Sequence, residues 1–232
     1  VGDEIKQRDK LLITSPQRLR ERFQIDVRTM SEVIEIDRNR KQVVVRNLND
    51  GKTYAESYDK LILSPGASPI RPEIPGAELP CVHTLRTLED VDQLRQLADA
   101  GVRHAVVVGA GFIGLEMVEN LVRRGVRVTL LQLSDQVLGT MDIEMTTPIM
   151  TVLRSHGVDL HLETTAKAIQ SSDNNRAVVE LSNGSFVDCD LVLFAIGVSP
   201  DNHLARHAGL ALGPRGGIVT NEYLQTSDID IY

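Results

Sequence analysis

The stretch Ala105-Val106-Val107-Val108-Gly109-Ala110-Gly111-Phe112-Ile113-Gly114 joins an apolar run of strand length to a glycine-rich turn. Apolar residues at positions 113, 118, 121 and 122 then recur with helical spacing as far as Gly125, and residues 126–131 are again apolar enough for a buried strand. A strand, a turn, a helix and a second strand in this order predict a parallel βαβ unit.

The glycines of this turn follow the pattern G-x-G-x-x-G. The pattern is a specific signal here because it lies between an apolar strand and an apolar helix. Gly109 permits a tight turn, Gly111 leaves room for a pyrophosphate beside the backbone, and Gly114 lets the helix pack closely on the strands. The N-terminus of the helix adds unpaired N–H groups and the positive end of a dipole. The turn therefore predicts a dinucleotide site, and the alternative is a glycine-rich turn that binds nothing.

Gln132 stands at the end of the second strand, where this fingerprint usually has an acidic residue that accepts hydrogen bonds from the adenosine ribose. An amide can still bond the ribose, and it does not repel a 2′-phosphate as a carboxylate does. Arg123, Arg124 and Arg127 are near in sequence, but an exposed basic helix end explains them. The choice between NADH and NADPH stays open, with NADH preferred.

The flanking sequence predicts further elements around this unit. Helical spacing indicates helices at 88–97, 142–155 and 203–208, with Asp142 as an N-cap. Early β patterns lie at 25–27, 33–36, 43–48, 53–58 and 61–63, and Asn49-Asp50-Gly51 predicts a hairpin between the third and fourth of them. Later β patterns lie at 158–162, 166–170, 177–181, 185–187, 191–195 and 217–220, and those at 166–187 predict an antiparallel meander.

Prolines mark the expected domain boundaries. Pro69, Pro72, Pro75 and Pro80 form an extended connector that is typical of a boundary, and Pro200 follows the last buried strand. We therefore predict a central domain at residues 79–200, flanked by segments at 1–78 and 201–232. The predicted fold class is α/β: a Rossmann-like, doubly wound parallel sheet with helices on both faces and a small β-meander.

The composition excludes several classes of function. The chain has 232 residues and a net charge of -7, so it lacks the positive field that a nucleic-acid backbone or an anionic membrane surface requires. No apolar run approaches the roughly 20 residues of a membrane-spanning helix, and the charged start lacks a signal-peptide core. We predict a cytoplasmic protein without nucleic-acid or membrane partners.

The cysteines and histidines predict neither a redox centre nor a metal site. Cys81 and Cys189 belong to no C-x-x-C pair, and a role as small apolar residues is the expectation for such cysteines. His203 and His207 have the i, i+4 spacing that can hold a metal, but no third ligand stands nearby in the sequence. We therefore predict no metal.

Several motifs, taken in chain order, resemble the flavoprotein pyridine nucleotide-disulfide oxidoreductases. They are Leu63-Ser64-Pro65-Gly66-Ala67-Ser68-Pro69 with Ile74-Pro75-Gly76, the glycine turn through Leu115-Glu116, Asp135-Gln136-Val137 with Met141-Asp142-Ile143-Glu144-Met145, and Ala195-Ile196-Gly197-Val198-Ser199-Pro200. Within that family the sequence is most similar to the group of coenzyme A disulfide reductases, NADH-dependent persulfide reductases and NADH oxidases or peroxidases. The resemblance covers essentially the whole chain.

This resemblance implies an FAD-dependent NAD(P)H oxidoreductase that passes hydride from NAD(P)H to FAD and then electrons to a cysteine-based disulfide, such as coenzyme A disulfide, or to a persulfide. Glu116 is expected at the nicotinamide carboxamide, with a solvated residue as the alternative, and Gln132 at the adenosine ribose. The implied pyrophosphate residues are Gly109, Gly111, Phe112, Ile113 and Gly114, and those of the nicotinamide half are Ile196 and Gly197. Residues matching positions that touch FAD through the backbone are Val33, Ser64, Pro65 and Gly66.

The resemblance also implies parts that this sequence does not contain. Members of the family carry an FAD-binding glycine fingerprint and a redox-active Cys before the position of Val1, and an Ala-x-Gly-Asp motif after that of Tyr232. We therefore expect a fragment without a catalytic residue of its own: a partial FAD-binding domain at 1–78, an NAD(P)-binding domain at 79–200 and an FAD-domain remnant at 201–232.

The full-length enzyme is expected to be a homodimer that acts on a small-molecule disulfide or persulfide. The alternatives are an NADH oxidase or peroxidase of the same family, and a stand-alone module that senses NADH.

Overall fold

The computed structural model describes residues 1–2, 5, 7–172 and 176–232, and the chain forms two compact units. The first unit comprises Val1–Lys6 and Pro69–Val198, and the second comprises Gln7–Ser68 and Ser199–Tyr232. The sequence places the first boundary near residue 79, whereas residues 69–78 lie in the first unit. The reason is that Ala77 is buried in the core of that unit and the Pro75 carbonyl accepts a hydrogen bond from the N–H of Ile169 at 2.8 Å.

A five-stranded parallel sheet forms the centre of the first unit. Its strands are β5 (Val82–Thr84), β6 (His104–Val108), β7 (Arg127–Leu131), β8 (Asp159–His161) and β12 (Leu191–Phe194). Their order across the sheet is β5-β12-β6-β7-β8, and every neighbouring pair is parallel. The predicted βαβ unit is therefore confirmed, and its two strands β6 and β7 lie side by side.

Three helices connect these strands: α2 (Leu88–Asp99), α3 (Phe112–Arg123) and α4 (Ile143–Ser155). Helix α2 begins with a capping box, because the Thr87 hydroxyl accepts from the Asp90 N–H while the Asp90 carboxylate accepts from the Thr87 N–H. Asp142 is the N-cap of α4 as predicted, although its side chain makes no capping hydrogen bond.

The two faces of the parallel sheet are covered differently. Side chains that alternate along the strands, such as Val107 and Val128, pack with Leu121 and Met150 of the helices. The intervening residues pack against an antiparallel meander, formed by β9 (Ala166–Ser171), β10 (Ala177–Leu181) and β11 (Phe186–Cys189). The α/β fold class is confirmed, but the expectation of helices on both faces is wrong because the meander occupies the second face.

The second unit contains a three-stranded antiparallel sheet and short helices. Its elements are a 3-10 helix (Arg8–Leu11), α1 (Pro16–Phe23), β1 (Ser31–Asp37), β2 (Gln42–Asn47), β3 (Thr53–Ser57) and α5 (His203–His207). The sheet order is β1-β2-β3, so the predicted hairpin is confirmed. The divisions between the units fall within β4 (Ala67–Pro69) and β13 (Val198–Pro200).

Three predicted strands of the second unit do not form. Residues 25–27 are irregular, and the segments at 61–63 and 217–220 make single bridges only, Leu61 to Ile231 and Leu212 to Ile218. Ile231 is fully buried among Ile36, Val43 and other apolar side chains, so it is part of the core of this unit. Among the described residues, no helix has the length and apolar character needed to cross a bilayer.

Candidate functional site

A cavity of about 680 Å³ opens in the first unit where β6, β7 and β12 end. The carboxyl ends of neighbouring parallel strands meet at one edge of a sheet, and such edges are where open α/β sheets bind ligands. The residues that line it are Pro69, Leu85, Val108, Gly109, Ala110, Gly111, Phe112, Ile113, Leu131, Gln132, Leu133, Gly139, Thr165, Phe194, Ala195, Ile196, Gly197 and Val198.

Seven of the nine residues predicted to contact NAD(P)H lie in this lining: Gly109, Gly111, Phe112, Ile113, Gln132, Ile196 and Gly197. The two others are Gly114 and Glu116. Gly114 is buried inside the first turn of α3 and has a packing role. Residues that are far apart in sequence, from the turn after β6 and from the segments after β7 and β12, thus share one cavity.

The turn after β6 is closely packed against the segment after β12. Gly109 has a φ of +104°, which favours glycine, and a Cβ there would collide with the carbonyl oxygen of Ala195. A Cβ on Gly114 would collide with the carbonyl oxygen of Gly109. Both positions therefore require glycine, for backbone geometry in one case and for helix-to-turn packing in the other.

Gly111 has a different role, because nothing lies within 4 Å of the position of a Cβ there. Its φ is -78° and its ψ is -174°, which any residue can adopt, so the backbone does not need glycine at this position. Gly111 is the N-cap of α3 and provides no side-chain cap for the first N–H groups of the helix. These donors and the positive helix end face open space, an arrangement that can bind an anion.

Gln132 lines the cavity and bonds to the turn itself. Its Oε1 accepts from the backbone N–H of Ala110 at 2.7 Å, and its Nε2 donates to the Oγ of Ser134 at 2.6 Å. The sequence identified this position from its distance along the chain, but the hydrogen bond to Ala110 is visible only in three dimensions.

The segment after β12 lines the cavity on the other side of β6 from Gln132. Gly197 has a φ of +114°, and its carbonyl oxygen accepts from the N–H of Ile70 at 3.0 Å. Ile196 beside it is 38% exposed and offers an apolar surface to the cavity. This wall is suited to the flat face of a ring, since it combines an apolar side chain with a glycine.

Glu116 is exposed and lies outside the lining of the main cavity. It lines a smaller cavity of about 290 Å³, and Leu85, Phe112 and Ile113 line both cavities. Glu116 therefore stands beside the main cavity, one helical turn beyond Phe112.

Sequence reasoning missed several lining residues, among them Leu85, Leu133, Gly139 and Thr165. No motif marks them. The rule that ligands bind at the carboxyl ends of parallel strands could have found Leu133, which follows β7, but not Thr165, whose position depends on how the meander packs.

The sequence pattern of the pyridine nucleotide-disulphide oxidoreductases matches residues 3–232. This chain belongs to that family. It is 34% identical over its full length to a coenzyme A disulfide reductase of Staphylococcus aureus strain JH9, of which it covers 51%. The chain thus spans about half the length of the curated relatives it matches.

Solved structures of family members have the same fold as this chain. Reduced CoADR-RHD of Bacillus anthracis matches 100% of the chain at 45% identity with a TM-score of 0.94, over 41% of its own length. A NAD-dependent persulfide reductase of A. fulgidus matches 95% of the chain at 35% identity with a TM-score of 0.89, over 40% of its length. The water-forming NADH oxidase of Lactobacillus brevis bound to NADH matches 100% of the chain at 29% identity with a TM-score of 0.93, over 50% of its length.

The four residues predicted to contact FAD in this family member lie in the second unit. Ser64, Pro65 and Gly66 form an exposed segment after the bridge at Leu61, and Gly66 has a φ of +80°. Val33 is in β1, next to a bulge, and packs against the core of the unit. Their contact with FAD stays a prediction.

The two cysteines are held as thiols. Burial raises the pKa of Cys189 to about 12, and burial also raises the pKa of Cys81. Since the thiolate is the nucleophile, neither residue has the environment of a reactive cysteine. Within the described part of the chain, no three His, Cys, Asp or Glu side chains cluster in a way that could hold a metal ion.

Proposed function

We propose that this chain is the NAD(P)H-binding portion of a flavin-dependent reductase that acts on a disulfide, such as coenzyme A disulfide, or on a persulfide. The observation that carries the proposal is the cavity at the carboxyl ends of β6, β7 and β12, which is lined in part by the open backbone at Gly111. Coenzyme A disulfide and persulfide reductases among the relatives support the class of substrate.

The pyrophosphate of NAD(P)H is assigned to the turn between Gly109 and Gly114. The N–H groups of Phe112 and Ile113 are in the first turn of α3, where no intrahelical acceptor exists for them, and they neutralise phosphate charge without a basic side chain. The missing Cβ of Gly111 lets the phosphates approach these donors. Gly114 contributes indirectly by keeping α3 close to Gly109.

The two ends of the dinucleotide are assigned to opposite walls of the cavity. The adenosine ribose is placed at Gln132, whose amide has one further lone pair and one further hydrogen after its two protein bonds. The nicotinamide half is placed at Ile196 and Gly197, and its carboxamide is placed near Glu116, beside the cavity. This arrangement holds the nicotinamide ring in a fixed orientation for hydride transfer.

When bound, FAD would supply the two-electron chemistry that links oxidation of NAD(P)H to reduction of sulfur. The second unit is proposed as part of the FAD-binding domain, and the first unit as the NAD(P)-binding domain, with 79–200 as its predicted extent. The exposed backbone of Ser64, Pro65 and Gly66 fits a contact with a flavin made through peptide groups, and the bulge after Val33 offers a second such position. With a disulfide as substrate, NAD(P)H, a proton and the disulfide give NAD(P)⁺ and two thiols.

The whole protein is proposed to act in the cytoplasm on a small-molecule substrate. Thiols are kept reduced in the cytosol, and a reductase that forms thiols by oxidising NAD(P)H fits that compartment. This supports a cytoplasmic location. The net charge of -7 supports a small-molecule substrate over a nucleic acid. We propose a homodimer as the functional form of the whole protein.

The experiment that tests this function uses the complete gene product, mixed anaerobically with NADH or NADPH. Addition of coenzyme A disulfide, or of a persulfide, is expected to oxidise the nicotinamide with matching formation of thiol. In a separate aerobic sample, oxidation of NADH by dissolved oxygen at a much higher rate than by either sulfur compound would assign the protein to the oxidase branch of the family. Absence of nucleotide oxidation with every acceptor would reject the enzyme.

A further inference from the structure

Ala110, the residue inside the glycine turn, is held on both sides by the segment that follows β7. Its N–H donates to the Oε1 of Gln132 at 2.7 Å, and its carbonyl oxygen accepts from the N–H of Leu138 at 3.0 Å. Ala110 is fully buried, and Leu138 adopts a φ of +48°. Both peptide groups of Ala110 are therefore held by residues 132–138, which lie more than 20 positions further along the sequence.

The Gln132 amide is itself oriented by Ser134. Its Nε2 donates to the Oγ of Ser134 at 2.6 Å, and that hydroxyl donates its single hydrogen to the carbonyl oxygen of Gln136 at 2.8 Å. Because the hydroxyl hydrogen is used, Ser134 can only accept from Gln132, and the amide must turn its oxygen towards Ala110. The three hydrogen bonds run in one direction, from Ala110 through Gln132 and Ser134 to Gln136.

A second set of contacts fixes this segment in space. The backbone carbonyl oxygen of Gln132 accepts from the N–H of Thr164 at 2.9 Å, and that of Ser134 accepts from the N–H of Glu163 at 3.0 Å. Ser134 does not line the main cavity, whereas Gln132 does. Ser134 can therefore influence a ligand in the cavity only through another residue.

We infer that Gln132 is a positioning residue for the pyrophosphate turn, with Ser134 as the residue that orients it. The inference rests on the proposed binding of a dinucleotide in this cavity. The N–H of Ala110 is already bonded to Gln132, so phosphate is left to the donors from Gly111 onward, and the Gln132 bond holds the Gly109–Ala110 peptide of the turn that presents them. This role is separate from any contact between Gln132 and the ribose.

The test measures binding by titration calorimetry with two ligands that contain the pyrophosphate: ADP-ribose, and its analogue that lacks both the 2′- and the 3′-hydroxyl of the adenosine ribose. The variants are Ser134→Ala, Gln132→Met and the double variant. Ser134→Thr keeps the hydroxyl, and Ser155→Ala removes an exposed hydroxyl that bonds a backbone carbonyl at the end of α4, as the matched control. Thermal unfolding establishes that each variant is folded.

Each single variant is expected to weaken binding of both ligands roughly twofold to twelvefold, the range that one lost neutral hydrogen bond gives. The double variant is expected to bind as Gln132→Met does, because Ser134 acts through Gln132. Ser134→Thr and Ser155→Ala are expected to bind as the parent does. If Ser134→Ala does not fold, binding of the deoxy analogue by Gln132→Met alone tests the positioning role.

Two results would overturn the inference in distinguishable ways. If the parent binds both ligands and the variants bind the deoxy analogue as the parent does, Gln132 acts only on the ribose hydroxyls and the positioning role is wrong. If the parent binds neither ligand, the proposed dinucleotide site itself fails, and the inference fails with it.

Discussion

The carbonyl oxygen of Gly109 occupies the space that a side chain at Gly114 would need, so the start of α3 rests directly on the turn that precedes it. The contact joins two glycines of the same motif, one directly after a strand and one inside a helix. Because of it, the N-terminus of α3 and the turn after β6 form one rigid piece. The donors of the first helical turn are held at the edge of the cavity as a result.

Gly114→Ala should lower the free energy of unfolding by about 1–3 kcal/mol, the usual cost of overpacking a close contact. The matched control is Gly111→Ala, because the added methyl group there meets no atom within 4 Å and the backbone conformation is an ordinary one. Urea unfolding of both variants gives the comparison. Equal stability of the two would show that α3 can move away from Gly109 without cost.

Gly111→Val should abolish dinucleotide binding while leaving the fold intact. The valine side chain enters the open space that we assign to the pyrophosphate, and a φ of -78° accepts a branched residue. Calorimetric titration with NADH measures the loss, and circular dichroism measures the fold. A variant that binds NADH as the parent does would make the glycine turn a structural feature only.

The βαβ unit, the hairpin and the meander could be predicted from the sequence, because each depends on local periodicity and on turn residues such as Asn49-Asp50-Gly51. It failed for residues 25–27, where Ile25 is half exposed and lies in no strand. It also failed for the second face of the parallel sheet. Local sequence patterns do not specify which element packs on which face of a sheet. The position of the meander opposite the helices could therefore not be predicted from them.

The same distinction applies to the site. The motif gave the glycines and Gln132, because their spacing along the chain is fixed by one strand and one helix. It did not give the bond between Gln132 and Ala110, or the positive φ of Leu138, which depend on how the segment after β7 folds back on the turn.

Stability should fall as the pH is lowered below about 6.5, with His104 as one cause. Burial lowers the pKa of His104, and the neighbouring Arg127 lowers it further. Below the unfolded-state value of 6.5 the unfolded chain binds a proton that the folded chain does not, so unfolding is favoured until the folded-state pKa is reached. The effect is at most about 1.4 kcal/mol per pH unit for one group.

His104→Gln tests this cause, since it removes the titrating ring. Urea unfolding at pH 7.5 and pH 5.5 should give a smaller loss of stability for the variant than for the parent, whatever the variant's stability at the higher pH. An identical loss in both proteins would exclude His104 as a contributor.

Cys189 should be unreactive towards a thiol reagent in the folded protein. Its side chain is fully buried and its pKa is raised to about 12, whereas Cys81 is partly accessible. At pH 8, an aromatic disulfide reagent should modify at most Cys81 in the folded chain, whereas it should modify both cysteines in denaturant. Mass spectrometry of peptides identifies the modified cysteines. Rapid labelling of Cys189 without denaturant would contradict the packing of β11 against the parallel sheet.

We place NADH in the cavity at the carboxyl ends of β6, β7 and β12. The most direct measurement is a titration of the isotopically labelled chain with NADH, followed by the NMR shifts of backbone amides. We expect saturable shifts concentrated at residues 109–114, at Gln132 and at Ile196 and Gly197, with little change in β1, β2 and β3. Saturable shifts elsewhere without changes at residues 109–114, or no saturable shifts at all, would contradict this placement.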